Sequence, residues 1–124
     1  MERYLVTIEE TSRELTAKER VQLKDTTDAL KLDEVTQFEA ITIKPVLSAV
    51  LNIHNEKSDN KDYKNYVLVD ESGQRYVTGS DSFWSSYKNI ENEMAGSEEE
   101  WAIKVYRKPS KNYNGKEFIT CSIV

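Results

Sequence analysis

Residues 101–124 hold Lys104, Arg107, Lys108, Lys111 and Lys116 against a single acid, Glu117, with Tyr106, Tyr113 and Phe118 set among them. Cationic heads neutralise phosphates and release their counterions. Aromatic faces stack on unpaired bases at about 1–3 kcal/mol per base. Together these are the residue types that a single strand of nucleic acid requires of its binder. The remainder of the chain has the opposite character: residues 1–100 carry 12 basic and 21 acidic side chains, and the net charge is −5. Such a sign reversal between regions points to a charged partner for the minority region. The competing explanation is a solvated hairpin loop, in which Lys and Asn are common.

Catalytic chemistry finds little to work with. There is one histidine, His54, and one cysteine, Cys121. Neither a glycine-rich phosphate loop nor zinc-type ligand spacing occurs. Cys121 lies in the last apolar run and reads as a small buried residue; His54 reads as a strand-end surface residue. The acidic run Glu98–Glu100 would need further ligands to hold a cation. Carboxylate pairs such as Asp25 and Asp28, or Asp70 and Glu71, are too ordinary to indicate glycoside hydrolysis. The expectation is a non-enzymatic protein without a cofactor or a metal.

A lone cysteine makes no intramolecular disulfide, so a reducing cytoplasm is expected. No run approaches the roughly 20 apolar residues of a membrane span, and the opening "MERYLVTIEE" is too charged for a signal peptide, so no membrane partner is expected. A chain of 124 residues favours one domain.

The elements that must carry the basic segment follow from periodicity. "RYLVTI" alternates as a short strand. "TAKE", Thr16 to Glu19, fits a capping box that opens a short helix to about Leu23. "KDTTD" then breaks the pattern, and residues 1–35 read as an N-terminal extension, an arm or a lid. From Phe38, "ITIKPVLSAVLNIH" is β-rich but interrupted at Pro45, where a bend or edge is expected. Leu47, Ala49, Leu51 and Ile53 share one face of it. "YKNYVLVDESGQRYVTG" reads as a hairpin turning at "ESGQ". Phe83, Trp84, Tyr87, Ile90 and Met94 recur at helical spacing after the N-cap candidates Ser80 to Ser82, and Gly96 ends that helix. "WAIKVYRK" and "EFITCSIV" are the last strands. Ile103 and Val105 alternate with Lys104, Tyr106 and Lys108.

Three strands in a meander, a helix, then two strands is the order of an OB-fold. The fold class read from the sequence is therefore mainly β with helices: a five-stranded OB-fold barrel over residues 36–124, with a helix between strands 3 and 4, preceded by the extension. An α+β sandwich shares the same element order. OB-folds bind oligonucleotides across strands 2 and 3 and between the flanking loops. In this sequence those regions offer Lys64, Tyr66, Arg75 and Tyr76, then Lys104, Tyr106, Arg107, Lys108, Lys111, Tyr113 and Lys116. The loop before Tyr63 adds Lys57 and Lys61. Trp84 and Trp101 read as core.

The stretches "NYVLVDESGQRYVTGSDSFWSSYKNIENEM" and "EEWAIKVYRKPSKNYNGKEFITCSIV" resemble small single-stranded DNA-binding proteins encoded by phages of Gram-positive bacteria. The resemblance spans about residues 38–124 and is one of layout rather than of a diagnostic motif. It implies a lone OB domain that coats exposed strands in replication or recombination with low sequence specificity. The implied partners are single-stranded DNA or RNA, with homo-oligomers or replication and recombination proteins beside them. Cellular relatives end in an acidic tail that recruits partners; this sequence ends on Ile123 and Val124, so recruitment of that kind is not expected. The acidic remainder leaves a second reading open, a small phage-type interaction module that modulates a host protein.

Overall fold

A computed structural model describes residues 4–57, 59, 61–109 and 117–124. Lys111, Tyr113 and Lys116 of the expected site lie outside them. The chain divides into two compact units, Met1–Leu30 with Val46–Gly79, and Lys31–Pro45 with Ser80–Val124. Among the described residues no helix is long and apolar enough to cross a membrane.

The first unit is built on a five-stranded sheet. Its order is β1 (Tyr4–Thr11), β4 (Pro45–Asn55), β5 (Asp62–Asp70), β6 (Arg75–Thr78) and β2 (Leu30–Lys31). "RYLVTI" is a strand as its alternation requires, and it runs antiparallel to β4. Val6 pairs with Ile53 and Ile8 with Leu51, and the register slips at Glu9, between Ile8 and Glu10. That extra residue is a β-bulge, which bends and twists the strand. Leu47, Ala49, Leu51, Val67 and Val77 on β4 to β6 form the core together with Leu23, against which Val6, Ile8, Leu15, Ala29 and Val69 pack. Truncating Leu51, fully buried, would cost about 2–5 kcal/mol.

Leu23 belongs to α1 (Ala17–Lys24), where it is the buried residue of a mostly polar helix whose Val21 is exposed. A helix with so little apolar surface depends on its ends. At the N-terminus the expected capping box forms. Thr16 Oγ1 accepts the Glu19 amide at 3.1 Å, and Glu19 Oε1 accepts the Thr16 amide at 3.0 Å. Arg13 holds the same carboxylate at 2.8 Å, and these contacts lower the Glu19 pKa to about 2. At the C-terminus the Arg75 guanidinium donates to the carbonyls of Gln22 and Asp25. The Gln22 carbonyl also accepts the Asp25 cap amide at 3.3 Å, so the arginine adds a second bond at a helix end whose last carbonyls lack the regular helical donors. "ESGQ" turns as expected: Gly73 adopts φ +90°, and the Asp70 carboxylate accepts the amides of Ser72 and Gln74 at 2.9 Å each. This Asx-type turn is why an aspartate precedes the glycine.

The second unit holds a three-stranded sheet, in the order β3 (Ile41–Ile43), β7 (Ile103–Pro109), β8 (Glu117–Ile123). Helix α3 (Asp81–Met94) starts where Ser80 Oγ accepts the Phe83 amide at 3.1 Å, and Gly96, at φ +82°, follows its end. Phe83 and Tyr87 are its buried residues, one turn apart, as the spacing requires. Ser82 Oγ donates to the Ile119 carbonyl at 3.3 Å, and the Ser86 and Thr120 hydroxyls are 3.0 Å apart. The helix thereby lies against β8, an edge strand whose outer carbonyls lack a neighbouring strand. Ile43, Ile103, Val105, Ile119 and Cys121 are buried. Burial pushes the Cys121 thiol up to about 12, which keeps it neutral and inert, as expected of a packing residue. Trp84 and Trp101 are half-buried, both within ring-contact distance of Tyr87, with centroids at 5.5 and 6.4 Å.

The fold is mainly β, as expected, with a helix between the β6 and β7 strands. Among the described residues it comprises two sheets, neither closed into a barrel. Pro45 marks the expected break. β3 and β4 are separated by Lys44 alone, yet they belong to different sheets.

Candidate nucleic-acid interface

Strand alternation sorts the expected site residues before any contact is considered. On β5 and β6, Lys64 and Tyr66 share a face, and Tyr76 joins them through its pairing with Leu68. Arg75 pairs with Val69 and so lies on the opposite, core-side face, where it reaches α1. On β7 the same rule puts Lys104, Tyr106 and Lys108 on one face and Arg107 on the other. Sequence spacing alone thus separates both arginines from the residues with which they were grouped.

In the first unit the Lys64 face is buried along Tyr66, Leu68 and Thr78, and the polar groups at its exposed end are paired with one another. Lys64 Nζ bonds Glu9 Oε2 at 3.1 Å, and Asn52 donates to Glu9 Oε1 at 3.2 Å. The lysine contact holds the Glu9 carboxyl below its ordinary value. His54 Nδ1 lies 2.7 Å from Asp62, and its Nε2 lies 3.4 Å from Glu56. Asp62 first, then Glu56, raise the His54 pKa. Tyr66 is 7% exposed, too little to offer a ring face to a base. Tyr76 is half-buried, its hydroxyl 3.5 Å from Asp70, and burial followed by that carboxylate raises its pKa.

The second unit offers a different surface. Register pairs Thr42 with Lys104, Lys104 with Ser122, Tyr106 with Thr120, and Lys108 with Phe118. All of these residues therefore share one face of the three-stranded sheet. Lys104, Lys108, Phe118 and Ser122 are exposed, and Tyr106 is half-buried. Lys104 Nζ lies 5.9 Å from the centre of the Tyr106 ring, within range of a cation–π contact. The Tyr106 hydroxyl is 2.7 Å from that of Ser122, which fixes the ring. Among the described strand residues of this face there is no carboxylate. Two ammonium groups, a pinned phenol and an exposed phenyl ring can hold a phosphate–base–phosphate sequence along one strand.

Arg107, on the other face, donates to the Asp33 carbonyl, and its Nε lies 3.5 Å from Thr36 Oγ1. It thereby ties down the end of α2 (Leu32–Val35), a short helix anchored by the fully buried Leu32. Two residues missing from the expected site stand out in this unit. Phe118 faces Lys108, and the alternation of Phe118, Thr120 and Ser122 against Ile119, Cys121 and Ile123 was the signal for it. Phe38, just after α2, is 92% exposed. No periodicity marks it, because it lies in a bend between elements.

No protein-family model, no curated protein and no solved structure matches this chain.

Proposed function

We propose that this protein binds single-stranded DNA with low sequence specificity through the Lys104, Tyr106, Lys108 and Phe118 face. The observation that carries the proposal is the composition of that face. In a chain of net charge −5, its described strand residues include two lysines and two aromatics and no acid. Phosphates meet the ammonium groups, and bases stack on the rings without being read by hydrogen bonds. Residues 110–116, which follow β7 and precede β8 in the sequence, include Lys111, Tyr113 and Lys116 and so carry the same residue types.

The finer architecture belongs to the same proposal. A meander, a helix and a hairpin follow in OB order, and the β-run from Ile41 to Asn55 divides between two sheets at Lys44. Both features support a barrel in which one bent strand serves two sheets. The resemblance of residues 38–124 to phage single-stranded DNA-binding proteins supports a role in coating exposed strands during replication or recombination, in the cytoplasm of a host.

The test is titration of labelled oligo-dT at several salt concentrations, read by tyrosine and tryptophan fluorescence. The expected result is quenching, with affinity falling linearly on a log–log salt plot. No binding at about 50 mM salt would sink the proposal.

A further inference from the structure

Phe38 is the most exposed of the large hydrophobic side chains among the described residues, at 92%. It does not sit alone. It lines a shallow recess of about 220 Å³ with Thr36, Gln37, Glu39, Tyr106, Arg107 and Glu117. Tyr106 belongs to the basic, aromatic face. Arg107 fixes the turn beneath by holding the Asp33 carbonyl, and Thr36 Oγ1 donates to the Leu32 carbonyl at 2.6 Å. A full phenyl ring is thus held in water on an anchored turn, beside the face already argued to bind a strand. Hydration of so much apolar surface is unfavourable, and a flat apolar partner would relieve it.

We infer that Phe38 is a stacking platform for one base of the bound strand, and that Glu39 and Glu117 at the recess select a base presenting N–H donors, guanine foremost. This rests on the proposed strand-binding function and adds one selective position to an otherwise tolerant face. A carboxylate accepts hydrogen bonds and donates none. Guanine offers two parallel donors on its Watson–Crick edge, N1–H and N2–H, which match the two oxygens of one carboxylate. Thymine offers a single N3–H between two carbonyl oxygens, which a carboxylate repels. Both glutamates also repel phosphate, so the base enters the recess edge first while Lys104 and Lys108 hold the flanking backbone. Arg107 is a positioning residue here, acting through the turn that carries Phe38.

The experiment uses the full chain and a series of dT octamers in which one dG steps through each position. The unmutated protein is expected to bind one or two of these at least about five-fold tighter than all-dT. Phe38→Ala is expected to weaken binding about ten-fold and flatten the series, with an unchanged unfolding midpoint because the side chain is exposed. Phe38→Trp restores both. The double variant Glu39→Ala, Glu117→Ala keeps or raises overall affinity through its lost negative charge, but it loses the dG-to-dT ratio, which a general charge effect does not move. A flat series in the unmutated protein, or Phe38→Ala binding normally, overturns the subsite. If oligonucleotide binding is present and depends on Lys104 and Lys108 while both of those results are negative, the strand-binding proposal survives without the subsite. If no oligonucleotide binds, both are overturned.

Discussion

The two units carry nearly the same balance of charge: 12 acidic and 9 basic residues in the first, 10 and 8 in the second. Their surfaces are nevertheless unlike. At the exposed end of the Lys64 face of the five-stranded sheet, Lys64 has Glu9 beside it and His54 has Asp62. On the Lys104 face of the three-stranded sheet, Lys104 sits over a tyrosine ring and Lys108 opposite a phenylalanine. A phosphate approaching the first face must displace a carboxylate; one approaching the second displaces water. Net charge per region therefore says little about binding, and the neighbour of each cation decides it.

The largest effect that bears on this contrast is charge reversal. Lys104→Glu with Lys108→Glu should weaken oligo-dT binding on the order of 100-fold and reduce the salt slope by about two. Lys64→Ala should leave both within about two-fold. Equal losses from the two sets would erase the distinction between the faces, and fluorescence titration measures both.

The arginines provide the next test, because they share one device. Arg75 and Arg107 each leave a strand to hold carbonyls at a helix end. Arg75→Ala should cost about 1–2 kcal/mol in urea unfolding with no change in DNA affinity. Arg107→Ala should cost a similar amount and also weaken binding, since its helix end precedes Phe38. A stability-neutral Arg75→Ala that impaired binding would return Arg75 to the interface.

A smaller effect separates the two roles of Tyr106. Tyr106→Phe removes the bond to Ser122 and should cost at most about 1 kcal/mol of stability while leaving the affinity nearly unchanged. Tyr106→Ala should lose binding as well. If Phe and Ala behave alike in titration, the ring is not what the strand meets.

The smallest effect is the pH response of the first unit. The folded pKa of His54 is raised by Asp62 and Glu56. Its stabilising contribution is thus complete below the unfolded value near 6.5 and is lost as pH rises through the higher folded value. His54→Gln should flatten that part of the curve of unfolding midpoint against pH. Glu19 has the opposite sign: with a folded pKa of about 2, its contribution is lost between roughly pH 4.5 and 2.

Local rules made much of this molecule legible. The Thr16 capping box, the Ser80 N-cap, the "ESGQ" turn and the break at Pro45 are each set by residues within four positions of one another, and each is found where its residues imply. The pairing of "RYLVTI" with β4 was not legible, because alternation shows that a strand exists but not which strand it joins. Among the site residues, the alternation of β7 and β8 displayed the Lys104 face and contained Phe118 as well. What concealed the roles of Arg75 and Arg107 is that a helix end and a phosphate both present oxygen acceptors to a guanidinium. Phe38 was hidden for another reason, since exposure of a single bend residue leaves no period in the sequence.

The interleaving of the two units also has a consequence for how the chain is made. β1 finds its partner no sooner than Ala49 and its neighbours emerge, 38 residues after Thr11, and β3 waits from Ile41 to Val105, 64 residues on. At translation rates of about 5–20 residues per second, those gaps last roughly 2–8 s and 3–13 s. During synthesis each early strand is an unpaired edge in search of hydrogen bonds. The bulge at Glu9 in one and the three-residue length of the other limit what a stranger could pair with while it waits.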